Sequence, residues 1–138
     1  MRILALDVGS RRIGLAISDA LGITAQGLPT LDRMKDKDVV ESLRKIIQEQ
    51  DVGEVVVGLP LNMDGSHGPK ARETASFAEC LKTELGVAVK LWDERMSTQE
   101  VERLMIEGDV SRGKRRKRID KLAAQVILQS YLNAQKRR

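Results

Sequence analysis

The run Ile3-Leu4-Ala5-Leu6 is apolar at every position, breaks at Asp7 and resumes at Val8. An apolar run this short and continuous suits a strand buried on both faces of a sheet. Gly9-Ser10-Arg11-Arg12 then reads as a turn, and Ile13-Gly14-Leu15-Ala16-Ile17-Ser18 as an antiparallel partner. A third strand falls within Ile23 to Leu31, interrupted by Gly27 and Pro29. Val55-Val56-Val57 is the β-branched block of a central parallel strand. Ahead of it, Val39, Val40, Leu43, Ile46 and Ile47 recur at helical spacing, with Asp36 or Asp38 as cap and Gly53 closing the segment. Gly58 to Pro69 is a Gly- and Pro-rich loop, and Lys70 to Leu85 a second helix ending at Gly86. Val87, Val89 and Leu91 alternate with Ala88, Lys90 and Trp92, as in a strand near a sheet edge.

Ser97 and Glu100 form a capping box, with Met96 and Val101 at the staple positions, so a third helix starts there and stops at Gly108. Ile119 to Ala134 makes a final helix. The order β-β-β-α-β-α-β-α-α predicts an α/β fold on one mixed five-stranded sheet flanked by helices, a single domain over residues 1–138.

Charge is distributed unevenly. The last 28 residues carry ten Lys or Arg against one acid, Asp120, while residues 1–110 hold 14 basic and 19 acidic side chains. An acidic body with a basic end predicts a polyanionic partner. The densest stretch is Arg112-Gly113-Lys114-Arg115-Arg116-Lys117-Arg118, read as a basic loop. That Phe77, Trp92 and Tyr131 are the whole aromatic supply argues against a single-strand binder that stacks bases on aromatic platforms. One cysteine, Cys80, rules out an internal disulfide framework and a multi-cysteine zinc site; its place beside Phe77 and Leu81 predicts core filler. The apolar runs are too short for a membrane span or a secretory signal, so the expected location is cytoplasmic, with no membrane partner.

Asp7 ends the first strand and Asp93-Glu94 the last. If the valine strand lies between, the two ends are about 10 Å apart, and carboxylates leaning inward can share divalent cations. Within its helix Asp120 shares a stripe with Ala123, Ala124 and Ile127, which turns it toward the sheet. Three acids beside a basic run suit Mg²⁺ or Mn²⁺ and a phosphodiester substrate.

Four blocks resemble one family. Leu4-Ala5-Leu6-Asp7-Val8-Gly9-Ser10-Arg11-Arg12-Ile13-Gly14-Leu15-Ala16 is similar to the opening of the bacterial YqgF proteins, also called RuvX or pre-16S rRNA nucleases. Gly58-Leu59-Pro60-Leu61-Asn62-Met63-Asp64-Gly65 resembles their middle loop, Asp93-Glu94-Arg95-Met96-Ser97-Thr98 their Asp-Glu-Arg motif, and Ile119-Asp120-Lys121-Leu122-Ala123-Ala124 their last helix. The resemblance implies a ribonuclease-H-like fold related to RuvC resolvases, and a metal-dependent endonuclease that matures the 5′ end of pre-16S rRNA or cuts branched DNA such as Holliday junctions. It carries Asp7, Glu94 and Asp120 over as catalytic metal ligands. Where RuvC relatives bear a glutamate at the end of the central parallel strand, this chain has Gly58-Leu59-Pro60, so Glu94 must take over from the neighbouring strand.

Arg11, Arg12, Arg95, Arg112, Lys114, Arg115, Arg116, Lys117 and Arg118 are the expected nucleic-acid contacts. Arg95 stands either to hold Glu94 or to meet a phosphate. His67 is expected to be exposed and Trp92 buried. No Walker or dinucleotide-binding glycine pattern occurs, which weighs against nucleotide hydrolysis. The competing reading is a non-catalytic RNA-binding ribosome-assembly factor; monomer and homodimer stay open. In either case five phosphate contacts make nucleic-acid affinity fall roughly a few hundred-fold between 50 and 200 mM salt. A flat response in a filter-binding titration would remove the basic run from both readings.

Overall fold

The computed structural model describes residues 1–35, 38–96 and 112–136, with side chains in the last stretch from Leu122 to Gln135. Five strands, β1 (Arg2–Val8), β2 (Arg12–Ser18), β3 (Ala25–Asp32), β4 (Val52–Leu59) and β5 (Ala88–Asp93), form one sheet in the order β3-β2-β1-β4-β5. β1 pairs antiparallel with β2 and parallel with β4, β4 pairs parallel with β5, and β2 pairs antiparallel with β3. Helices α1 (Val39–Glu49) and α2 (Pro69–Leu85) cover one face; α3 (Arg112–Lys136) covers the other. The α/β class and five-stranded mixed sheet read from the sequence are present. The third helix expected from Ser97, its capping box and its staple lie outside the described residues.

Strand alternation makes the two faces unequal. Leu4, Leu6, Ile13, Leu15, Ile17, Val55 and Val57 point toward α1 and α2, where Leu43, Ala78 and Leu81 meet them. Ala5, Ala16, Ala25 and Val56 point toward Ala124, Ile127, Leu128, Tyr131 and Leu132 of α3. Alanines on both sides let α3 approach the sheet closely. That helix is fixed by side chains at both margins. Gln125 donates to the Ala25 carbonyl (3.1 Å), the Ala25 amide donates to Gln129 (3.2 Å), Tyr131 donates to Glu54 (2.5 Å), and the Trp92 indole donates to Ser130 (3.2 Å). Trp92 is half-buried edge-on against Tyr131, with ring centroids 5.4 Å apart.

Several local readings need correction. The basic run is helical: α3 begins at Arg112, since Arg and Lys are good helix formers and Gly113 alone does not break the run. Asp120, at the start of the helix expected from Ile119, is thus in the third turn instead. Gly53 does not close α1. Asp51, at φ 54°, turns the chain, and Gly53 lies within β4 with Met1 packed over it. Asp38 does cap α1, accepting from the Glu41 amide at 3.0 Å, while Asp36 lies outside the described residues. Cys80 is exposed rather than core, because Phe77, Ala78 and Leu81 already fill the inward stripe of α2. Pro29 is accommodated because β3 is an edge strand and bulges there, Pro29 and Thr30 together facing Gly14.

Leu43 is fully buried beneath the sheet. Leu43→Ala should cost about 2–5 kcal/mol in urea unfolding, while Cys80→Ser should stay within about 0.5 kcal/mol. A comparable loss for both would return Cys80 to the core.

Candidate active site

Asp7 and Glu94 meet across the middle of three parallel strands. Asp7 falls on the α3 face of β1, in step with Ala5. A methyl group at the neighbouring Gly14 would lie 3.5 Å from the Cβ atoms of both Asp7 and Ala124. Glu94 follows the end of β5, its amide donating to the Leu59 carbonyl of β4 at 3.1 Å. From there its side chain lies across Gly58. A Cβ at that position would stand 2.8 Å from Glu94 Oε1 and 2.6 Å from Ile127 Cδ1. The missing side chain on the central strand is therefore the space that Glu94 occupies, and the substitution expected from the sequence is physically accommodated.

Burial pushes the Glu94 carboxyl up to about 8, and a hydrogen bond to Asp7 together with the Asp7 charge adds to the rise. Lys70 pulls it back, and Asp93 raises it slightly. Protonated, Glu94 donates to Asp7. Two hard oxygen donors held together by a proton are the kind of set that a divalent cation displaces protons from. Among the described residues no group of three ligating side chains forms.

Arg95 settles on Asp93, not Glu94. Its Nη2 donates to Asp93 Oδ2 at 2.7 Å and its Nε contacts both carboxylate oxygens, while its amide donates to Oδ1 at 2.9 Å. That local turn is natural for an aspartate two residues ahead, and it holds the Asp93 carboxyl below its ordinary range. The remaining Arg95 nitrogen, Nη1, donates to the Met63 carbonyl at 3.1 Å, lashing the Pro60–Gly68 loop to the end of β5. The loop is itself closed by Asn62 and Ser66, and Ser66 donates from both amide and hydroxyl to Asp64. His67 is exposed on it.

Asp120 is placed by register alone. Ala124 lies beside Asp7, near the carboxyl end of β1, and Tyr131 beside Glu54, near the amino end of β4. So α3 runs antiparallel to both strands, and Asp120 sits one turn, about 6 Å, before Ala124 at the carboxyl end of the sheet. The side chains of Asp120, Arg112, Lys114, Arg115, Arg116, Lys117 and Arg118 lie outside the described residues. Arg11 and Arg12 are exposed at the β1–β2 turn, with Arg11 4.0 Å from Asp32. Together with Asp7, Gly9, Ser10, Gly14 and Thr30 they line a cleft of about 500 Å³. Sequence reasoning missed Lys70 and the spacing role of Gly58. Lys70 was detectable as the first cation after the loop that leaves the central strand.

A family profile described as RuvX, Holliday junction resolvase, matches residues 1–134. A protein of Halothermothrix orenii named "Putative pre-16S rRNA nuclease" is 53% identical over 135 residues, covering 98% of this chain and 96% of the relative. One of the same name from Myxococcus xanthus is 51% identical over 134 residues, covering 97% and 89%. Among solved structures, T. thermophilus RuvC in complex with Holliday junction substrate superposes with TM-score 0.57 at 14% identity, covering 97% of this chain and 96% of that one. The fowlpox virus resolvase with its junction DNA gives 0.53 at 14%, covering 98% and 99%. At these identities the structural likeness shows the fold, the ribonuclease-H-like arrangement of RuvC.

The Glu94 shift has a consequence for stability. Between pH 4.5 and about 8 the folded protein keeps a proton that the unfolded chain releases, so Glu94 stabilises the fold at low pH and that contribution fades as pH rises. Thermal melts in EDTA should show the wild type losing Tm relative to Glu94→Gln from pH 5 to 8. Parallel curves would place Glu94 in solvent.

Proposed function

Because this chain belongs to the RuvX family of Holliday junction resolvases, we propose that the Asp7–Glu94 pair is the core of a metal-dependent endonuclease that hydrolyses nucleic-acid phosphodiester bonds. The supporting observation is the pair itself, two carboxyls brought together over Gly58 at the carboxyl end of parallel strands. Asp7, Glu94 and Asp120 would hold Mg²⁺ or Mn²⁺, Asp120 contributing from α3. When bound, the cation supplies charge neutralisation, polarisation of a phosphoryl oxygen and activation of water.

The chain's own residues do the rest. Gly58 admits Glu94, and Ile127 and Ala124 keep water from the inner side of the pair. Arg95 holds Asp93 and the Met63 backbone, so it orders the segment that carries Glu94. Arg11, Arg12 and the basic first turns of α3 flank the pair as phosphate contacts. The relatives' name supports pre-16S rRNA as a substrate and the family's description supports branched DNA as the other; we take 5′-end maturation as the reaction and the cytoplasm as its place. Among the described residues no helix is long and apolar enough to cross a membrane.

Asp7→Asn retains shape and removes charge. It should lower Mg²⁺-dependent cleavage of a pre-rRNA 5′ leader or a synthetic four-way junction at least ~100-fold, more than the loss of a group merely supporting a ligand, with an unchanged circular-dichroism spectrum. Full activity in a clean preparation of the variant would remove Asp7 from the catalytic set, whereas a wild type that never cuts with Mg²⁺ and holds RNA equally well in EDTA would be a non-catalytic binding factor.

A further inference from the structure

A second cleft, of about 520 Å³, opens on the opposite side of the β1–β2 turn from the Asp7 cleft, and the two share Gly9 and Ser10. Val8, Arg33, Lys70, Glu73, Thr74 and Phe77 complete its lining. Arg33 is set in place there. Its Nη1 donates to the Gly9 carbonyl at 2.8 Å, and its guanidinium carbon lies 5.7 Å from the Phe77 ring centre. Thr74 is 3% exposed, and its hydroxyl has no hydrogen-bond partner among the described residues. A buried, unpartnered hydroxyl on a residue that lines a cleft is costly, and a group entering the cleft can satisfy it. Lys70 links this cleft to the carboxylate pair, since its charge acts on Glu94.

We propose that this cleft binds one nucleotide of a nucleic-acid strand, its phosphate held by Lys70, Arg33 and the Thr74 hydroxyl, as a subsite adjoining the Asp7–Glu94 pair across the Gly9-Ser10 turn. It rests on the reading of that pair as acting on nucleic acid. A lone phosphate would fill only a small part of the volume, which lies in the range of small-molecule sites. The lining is mixed in a way that fits a nucleotide. Two cations and two hydroxyls face the phosphate, Val8 and Phe77 offer an apolar wall to a sugar or base, and Glu73 supplies an acceptor for a sugar hydroxyl or base amino group. The polar groups converge from the β1–β2 turn, the residue after β3 and the first two turns of α2, so the fold itself preorganises them.

The test uses the full chain in EDTA, with a fluorescent twelve-nucleotide oligouridylate as probe and uridine monophosphate and inorganic phosphate as competitors. Thr74→Val keeps shape and removes the hydroxyl; Lys70→Gln removes one charge. Each variant should weaken oligonucleotide binding about three- to tenfold. Lys70→Gln should reduce the slope of log K against log salt by about 1, and Thr74→Val should melt no lower than wild type. Uridine monophosphate should compete better than phosphate and shift the amide resonances of Gly9, Ser10 and Lys70. Wild-type affinity in both variants, absence of oligonucleotide binding, or equal competition by phosphate alone would each overturn the subsite. Binding without metal separates the two claims. A protein that binds but never cuts with Mg²⁺ sinks the nuclease and keeps the cleft, whereas normal cutting with unaltered binding by both variants does the reverse.

Discussion

The structure turns on a repulsion that the fold creates and then has to relieve. Two carboxyl groups from strands on either side of β4 are brought onto one spot, and the strand between them yields its side chain to make room. In the bare protein a proton relieves that repulsion; burial first, then the hydrogen bond to Asp7 and the Asp7 charge, displace the Glu94 carboxyl from an ordinary glutamate. Hydrophobic burial elsewhere supplies the stability against which such an arrangement is maintained. Ile127 packs on the same glycine as Glu94 and belongs to the core under α3.

The unequal faces of the sheet explain why the pair lies where it does. Bulky aliphatic side chains on one face are matched by two amphipathic helices, α1 and α2. On the other, alanines admit a single helix close to the backbone, and Asp7 continues the small-residue row of β1 toward it. Large side chains at Ala5, Gly14 or Ala124 would lift α3 and open the pair to solvent. The alanine row is thus part of the site although it touches no reacting atom.

Much of this was written legibly in the chain. The hairpin, the valine strand between β1 and β5, the Asp38 cap and the Gly86 stop all follow from local rules of burial and turn chemistry, and the meeting of Asp7 with Glu94 follows from strand order. What local rules missed depends on competition between neighbours. Arg95 was equally suited to Glu94 or a phosphate by composition, and the short reach back to Asp93 won because its own amide closes the same turn. Cys80 seemed inward by its neighbours, yet Phe77, Ala78 and Leu81 had filled that stripe. The basic run reads as a solvated loop by its charge alone, but the backbone preference of Arg and Lys extends α3 through it.

The extent of α3 has a mechanical corollary. Its last turns are clamped to the sheet by Gln125, Gln129, Ser130 and Tyr131, while its first turns run past the strand ends. Among the described residues, the hydrogen bonds that hold this helix to the sheet lie at Gln125 and beyond, and the basic run stands at the opposite end. Small changes of tilt at the clamp are magnified over a lever arm of about 18 Å. The placement of the basic end of α3 relative to the carboxyl pair is therefore sensitive to hydrogen bonds made more than three turns away along the same helix.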